Sequence, residues 1–313
     1  MPTTPTNLNE GQNRRHPDHS GRKTFNFILG QVADCIKDIS PFFERFQAEE
    51  IYTKEYLKVI QTYQKERLFI DLVQLAHCDI AYSIVYFGVS HHDLTTFNRI
   101  FENKYNQVFL TYLSFVIKNK PHPDADLNDW WSKFIKVHLS NILDKLYLMI
   151  YQQRQHPLAN VYADLEWYPN LDELRMINEK RPFKYYGGHQ FKLGHYYRHL
   201  FQSVKYIDEQ KPLTYKEKYE YLKTLRAQLS TPEQYLLFFN SISSIGRAWE
   251  LKQLTGTPFE NFNCYLITKY NFIKNIPDTF YIDFIQIKHY YPLVEFEFGS
   301  KPEGRIELKK KFR

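Results

Sequence analysis

Twenty-five Tyr and twenty-five Phe stand against only eleven Gly in this chain, and no other feature constrains the fold as much. Architectures built from many short strands need glycine in their tight turns, whereas long helices pack bulky rings without it. The apolar residues repeat at helical spacing to match. Ser40-Pro41 reads as a helix start, with Pro where a missing N–H costs nothing, and Ile51, Tyr52, Tyr56, Val59 and Ile60 continue the period. A second pattern runs from Arg67 through Leu68, Leu72, Leu75 and Ala76 to Ile84, ahead of Gly88. A third, capped by Asp93, holds Phe97, Ile100, Phe101, Tyr105, Phe109 and Tyr112.

The two prolines and alternating charges of KNKPHPDAD, residues 118–126, break the chain. A long helix carrying Trp130, Trp131, Phe134, Ile135, Leu139, Ile142, Leu146 and Ile150 is expected after them, then an irregular piece between Pro157 and Pro182. The end changes character, because LVEFEFG and RIELKKK alternate at period two around a turn with Gly299, Pro302 and Gly304. The expected fold class is therefore mainly α: a multi-helix domain over residues 24–285, preceded by a disordered basic arm, 1–23, and followed by a small C-terminal β-hairpin and basic tail, 286–313.

Composition narrows the function. An apolar content of 43% excludes global disorder. Cys35, Cys78 and Cys264 are odd in number and far apart, so they form neither a disulfide framework nor a CxxC pair, which suits the reducing cytoplasm. The longest uncharged apolar run, Ile80 to Val89, is half of a membrane span, and no signal core opens the chain. A cytoplasmic protein with no membrane partner is expected. The net charge of +6 does not by itself indicate nucleic acid, since residues 1–24 contribute +2, residues 301–313 contribute +4, and the body is neutral.

The chemistry concentrates between Tyr185 and Gly246. On a helix from about Phe191 to Ile207, Tyr197, Leu200, Phe201, Val204 and Ile207 make one face. His195, Arg198, His199, Gln202 and Lys205 lie on the other at spacings of three and four. Gly194 inside that helix costs about 1 kcal/mol relative to Ala, so a neighbouring backbone or a ligand is expected close by. Gly187-Gly188 frees the chain to turn ahead of it. The next helix opens with a capping box, Thr214 to Glu217, and places Arg226 where an apolar residue is expected. Ser230-Thr231-Pro232-Glu233 starts a third, whose stretch YLLFFN is apolar nearly all round and embeds Asn240. A buried guanidinium and a buried amide both need partners, and Arg226 with Asn240 is the expected network.

Each feature has a plainer reading taken singly: His and Arg on a polar face are commonly solvated, and a buried Arg or Asn is commonly a structural pin. Concentrated in about sixty residues, they point to one pocket lined or braced by His189, Gly194, His195, Arg198, His199, Gln202, Arg226 and Asn240. In it His195, Arg198 and His199 are the candidate catalytic groups, imidazole for moving protons and guanidinium for holding phosphate or carboxylate. His189, His195 and His199 lack the Glu of an HExxH zinc helix, so no metal and no cofactor is expected. Asp283, Gln286 and Lys288 only faintly echo a nuclease motif, and no phosphate loop, serine elbow or dinucleotide fingerprint is present.

The motifs GHQxxLGHYYRHLFQxxKYI and LRAQLSxxEQxLLFFNSxSxxG resemble those of the phage abortive infection proteins of the AbiC-like group. The resemblance implies a bacterial antiviral factor that arrests infected cells. Many members of the group carry N-terminal membrane helices, a pattern from which this sequence departs. HEPN-type ribonucleases, common among abortive infection factors, place an Arg four to six residues before a His. Here Arg198 is followed at once by His199 and by no later His in the segment. Two classes stay open: an effector with metal-independent, RNase-like action at the His/Arg pocket, or a non-enzymatic helical binding module. The implied partners are RNA or a phage protein, a partner defence protein, or a second copy of the chain.

Overall fold

The computed structural model describes residues 22–65, 70–88, 99–110, 113, 117, 186, 188–253, 261–263, 265–277, 285–297, 299 and 301–311. The arm before residue 22, His91 to Asp93, the break at 118–126, the Trp130 helix, the piece between Pro157 and Pro182, Cys264 and Asp283 lie outside the described residues. The elements are α1 (Arg22–Phe43), α2 (Ala48–Ile51), α3 (Lys54–Lys65), α4 (Leu72–Phe87), α5 (Gln190–Asp208), α6 (Tyr215–Arg226) and α7 (Thr231–Ile242). A 3₁₀ turn (Arg247–Trp249), strands β1 (Leu251–Gln253) and β2 (Asn261–Asn263), and α8 (Leu266–Tyr270), α9 (Ile287–Tyr290) and α10 (Arg305–Lys311) follow. The protein is mainly helical; β1 and β2 form a three-residue antiparallel ladder with Lys252 opposite Phe262.

Two central helices organise the core. Along α1, Ile28, Val32, Cys35, Ile36, Ile39, Phe42 and Phe43 are buried, a continuous stripe at spacings of three and four. That stripe lies along α4, and α7 packs against both. From Leu75 to Val85 every residue of α4 is buried, as is every residue of α7 from Glu233 to Ile242. The run YLLFFN is thus central, as its all-round apolarity implies.

Local signals set most helix ends. Asp71 caps α4, its carboxylate accepting from Gln74 N at 2.9 Å, and Gly88 ends the helix at φ 90°. Thr214 and Glu217 close the capping box of α6, and Ser230 and Glu233 close that of α7.

Three expectations are corrected. Ser40-Pro41 does not begin a helix: Pro41 lies in the last turn of α1, which ends at Phe43. The pattern through Phe101 and Tyr105 is interrupted, because Asn106 N bonds Ile51 O at 2.8 Å and Thr53 N bonds Lys104 O at 3.0 Å, a bridge that stacks Tyr52 on Tyr105. Among the described residues the C-terminal β-hairpin is absent. Val294 and Phe296 do bury at period two, but their backbone bonds the turn after α8: Glu295 N meets Asn271 Oδ1 at 3.0 Å and Glu297 N meets Lys274 O at 3.0 Å. RIELKKK, made almost entirely of good helix formers, becomes α10 and buries Arg305 and Leu308 on one face.

Candidate functional site at the Arg198 cavity

Helix α5 is positioned from its first residue. Gly188 has φ +81°, and a Cβ there would stand 2.5 Å from Phe87 O, so only glycine lets the chain pass the end of α4. His189 N then donates to Tyr86 O at 2.8 Å, and its Nε2 meets Gln31 Oε1 of α1 at 2.6 Å. Further along, Tyr196 donates to Glu233 Oε1 at 2.8 Å and Tyr197 to Glu233 O at 3.2 Å. These bonds fix which face of α5 turns inward. Leu193, Tyr197, Leu200 and Val204 are buried, and Phe191, Lys192, His195, Arg198, His199, Gln202, Ser203 and Tyr206 are exposed.

Between α5, α4 and the turn after α7 lies a cavity of about 200 Å³, lined by Tyr86, Leu193, Gly194, Tyr197, Arg198, Phe201, Asn240, Ile245, Gly246, Ala248 and Trp249. Gly194 explains part of it, since a Cβ there would stand 2.7 Å from the Tyr86 hydroxyl. The close neighbour expected of this glycine is thus a phenol, and its approach makes one wall. Across the cavity, Asn240 is held by both ends of its amide: Nδ2 donates to Tyr82 Oη at 3.1 Å, and Oδ1 accepts from Trp249 Nε1 at 3.2 Å. A Cβ on Gly246 would fall 2.4 Å from the Asn240 carbonyl oxygen. Any side chain there would therefore displace the turn.

A buried carboxylate anchors that turn. Asp79 of α4, fully buried, accepts from Tyr105 Oη at 2.7 Å, Ser244 N at 2.9 Å and Ser244 Oγ at 3.1 Å. Arg247 Nη2 stands 3.9 Å from the same carboxylate and donates to Ile242 O at 2.9 Å, while its Nη1 donates to the Tyr56 hydroxyl. The charge is thus satisfied, as an interior requires, and residues 244–249 are held against α4.

Two polar groups at the cavity are uncommitted. Arg198 makes no hydrogen bond or ion pair among the described residues, and neither does the Tyr86 hydroxyl. Burial pushes the Tyr86 phenol above its ordinary range, with the Arg198 guanidinium pulling the other way, so at neutral pH it is a donor. Among the described residues no acidic one lines the cavity, and none occurs from Gln190 to Ile207. The arrangement is suited to an anion that carries apolar surface.

The structure brings Gly194, Arg198 and Asn240 together on this cavity. His195, His199 and Gln202 lie beside it on the outward face of α5, exposed, and neither imidazole is hydrogen-bonded among the described residues. His189 is a joint between α1, α4 and α5. Among the described residues Arg226 and Asn240 share no network: Arg226 Nη1 donates to Tyr270 O at 3.3 Å and Asn271 O at 3.0 Å. With Arg305 Nη2 on Lys269 O at 2.9 Å, it satisfies the carbonyls at the end of α8, where a cation is favoured. Among the described residues no group of His, Cys, Asp and Glu could hold a metal ion. Sequence reasoning missed Tyr86, Trp249 and Asp79. Only Asp79 carried a signal, as a carboxylate inside the apolar stretch HCDIAYSIVYF.

Residues 188–281 match the family model described as "Putative phage abortive infection protein". The match begins at the glycine before α5 and takes in every cavity residue except Tyr86, and it supports a role in phage abortive infection. No curated protein and no solved structure matches the chain. No described helix is long and apolar enough to cross a membrane.

Proposed function

We propose that this chain is an antiviral protein that acts in the bacterial cytoplasm and arrests phage-infected cells, and that its working site is the Arg198 corner of α5. The observation that carries this reading is an uncommitted guanidinium at the edge of an aromatic-lined cavity, inside the segment that matches the abortive infection family. This helix face offers Arg198, Lys192, His195 and His199 with no carboxylate among them. Such a face attracts phosphate. RNA lying along α5 would meet the guanidinium and two imidazoles, side chains suited to proton transfer near neutral pH, which is the basis for RNase-like action.

A second reading is favoured by one specific feature. Among the described residues nothing orients His195 or His199 in the way that a general base is oriented by a hydrogen-bonded partner. On this reading the corner senses a phage component or pairs with a partner defence protein. A phage-challenge assay of wild type beside His195→Ala and Arg198→Ala, with total RNA examined after infection, separates the two. Protection and RNA cleavage lost together support the effector; protection lost with Arg198→Ala while RNA stays intact throughout supports the sensor. Full protection by both folded variants would remove the site from either role.

A further inference from the structure

We infer that the cavity beside Arg198 is a site for a single-ring aromatic anion, in the first place a pyrimidine nucleotide, with the ring inside and the phosphate at the mouth. The inference rests on the reading of the Arg198 corner as the working site and names what that site takes.

Size sets the ring. A cavity of about 150 Å³ lined by apolar side chains holds benzene, so about 200 Å³ accommodates one six-membered ring with its substituents. The walls set its character: Tyr86, Tyr197, Phe201 and Trp249 all face the space, and base faces stack on such rings regardless of sequence. Phe201 and Trp249 already meet edge to face at 5.2 Å, which fixes the Trp249 wall. The amide of Asn240 spends one N–H on Tyr82 and one lone pair on Trp249, leaving an N–H for a ring carbonyl, a group that uracil and cytosine both carry.

The anion is set at the mouth. Among the described residues, Arg198 and the Tyr86 hydroxyl are donors without acceptors, and no carboxylate lines the cavity to compete for them. A guanidinium and a phenol on one phosphate or carboxylate make charge-assisted bonds of the stronger kind. Gly194 permits the pairing, because any side chain there would push Tyr86 away from α5. The phosphate has two sources, a free nucleotide or the 5′ end of a strand. In the second case the exposed row Phe191, His195, Gln202 and Tyr206 would carry the following residues along α5.

Calorimetric titration of the purified full chain tests this with UMP, CMP, AMP, GMP, uridine, inorganic phosphate and a 5′-phosphorylated oligouridylate. UMP and CMP should bind about tenfold or more tightly than uridine, phosphate, AMP or GMP. Arg198→Ala should weaken UMP about tenfold or more while leaving uridine unchanged, Tyr86→Phe should weaken it less, and Ala248→Trp, placed on an exposed rim residue, should block it. Tighter binding of the oligouridylate than of UMP, with the same dependence on Arg198, assigns the strand end; equal or weaker binding assigns the free nucleotide. Purine nucleotides binding as tightly as UMP would overturn the ring assignment. No binding by folded wild type at ligand concentrations on the order of 1 mM, or UMP binding untouched by Arg198→Ala and Ala248→Trp, would overturn the site. If Arg198→Ala abolishes phage protection while no nucleotide binds, the ligand assignment fails and the working-site reading stands.

Discussion

His77 and Asp79 are two ionisable residues buried on the same helix, and they meet burial in opposite ways. Asp79 is surrounded by donors from Tyr105 and Ser244, with Arg247 close by. His77 stacks on Phe43 at 4.5 Å and meets Ile36 O at 2.7 Å through Nε2. Burial pushes its imidazole down to about 4, against the raising effect of that backbone bond. The folded pKa is the depressed one, so the unfolded chain takes up the proton first. The contribution to stability is complete above about pH 6.5 and is lost as pH falls toward 4. Wild type should lose about 2 kcal/mol of unfolding free energy from this residue between pH 7.5 and pH 5, measured by denaturant titration, and His77→Gln should lose much less. Equal losses in the two proteins would mean that His77 is protonated in the folded state. Asp79 shows what a single residue can announce in a sequence, a charge that interrupts an apolar run. Its partners, residues 105, 244 and 247, are too distant in the chain for any local pattern to name.

At the scale of elements, local chemistry was the legible part. The boxes Thr214/Glu217 and Ser230/Glu233, the Gly88 stop and the buried faces of α5 and α7 follow from residues a few positions apart, and all of them stand in the structure. The missing C-terminal hairpin shows the limit: Val294 and Phe296 bury at period two, but a strand needs a partner, and the backbone beside them is the turn after α8, while RIELKKK is helical. Glu233 shows how a local signal acquires a second role. It accepts from Ser230 N at 2.7 Å and Ser230 Oγ at 2.5 Å as part of a cap, and from Tyr196 of α5 at 2.8 Å. Glu233→Ala should therefore destabilise the fold by about 2–4 kcal/mol, because it leaves a cap and a partly buried phenol unpaired. Thr214→Ala, which removes a cap alone, should cost about 1 kcal/mol. Equal denaturation midpoints for the two variants would show that the Tyr196 bond does not hold α5 in place.

At the scale of the molecule, the cavity joins two parts of the chain. Its matched segment supplies Gly194, Arg198, Asn240 and Trp249, and α4 supplies Tyr86. Arg198 was legible as a member of a polar helix face, but its separation from His195 and His199 by a single step around that face was not. One places a guanidinium at a cavity and the others on an open surface, a difference set by the turn that Asp79 anchors on the far side. Arg226 was legible as a buried cation, and its role at the end of α8 was not, because the carbonyls it satisfies lie in a helix of only five residues. The central claim, that the chain arrests infected cells through the Arg198 corner, is tested most directly by infecting cells at low and high phage-to-cell ratios. Wild type and Arg198→Ala are compared at matched levels and after matching thermal unfolding. With wild type, the account predicts survival of the culture at the low ratio, and collapse without a phage burst at the high ratio; with Arg198→Ala it predicts a normal burst at both. A folded Arg198→Ala protein that suppresses the burst as fully as wild type would contradict it.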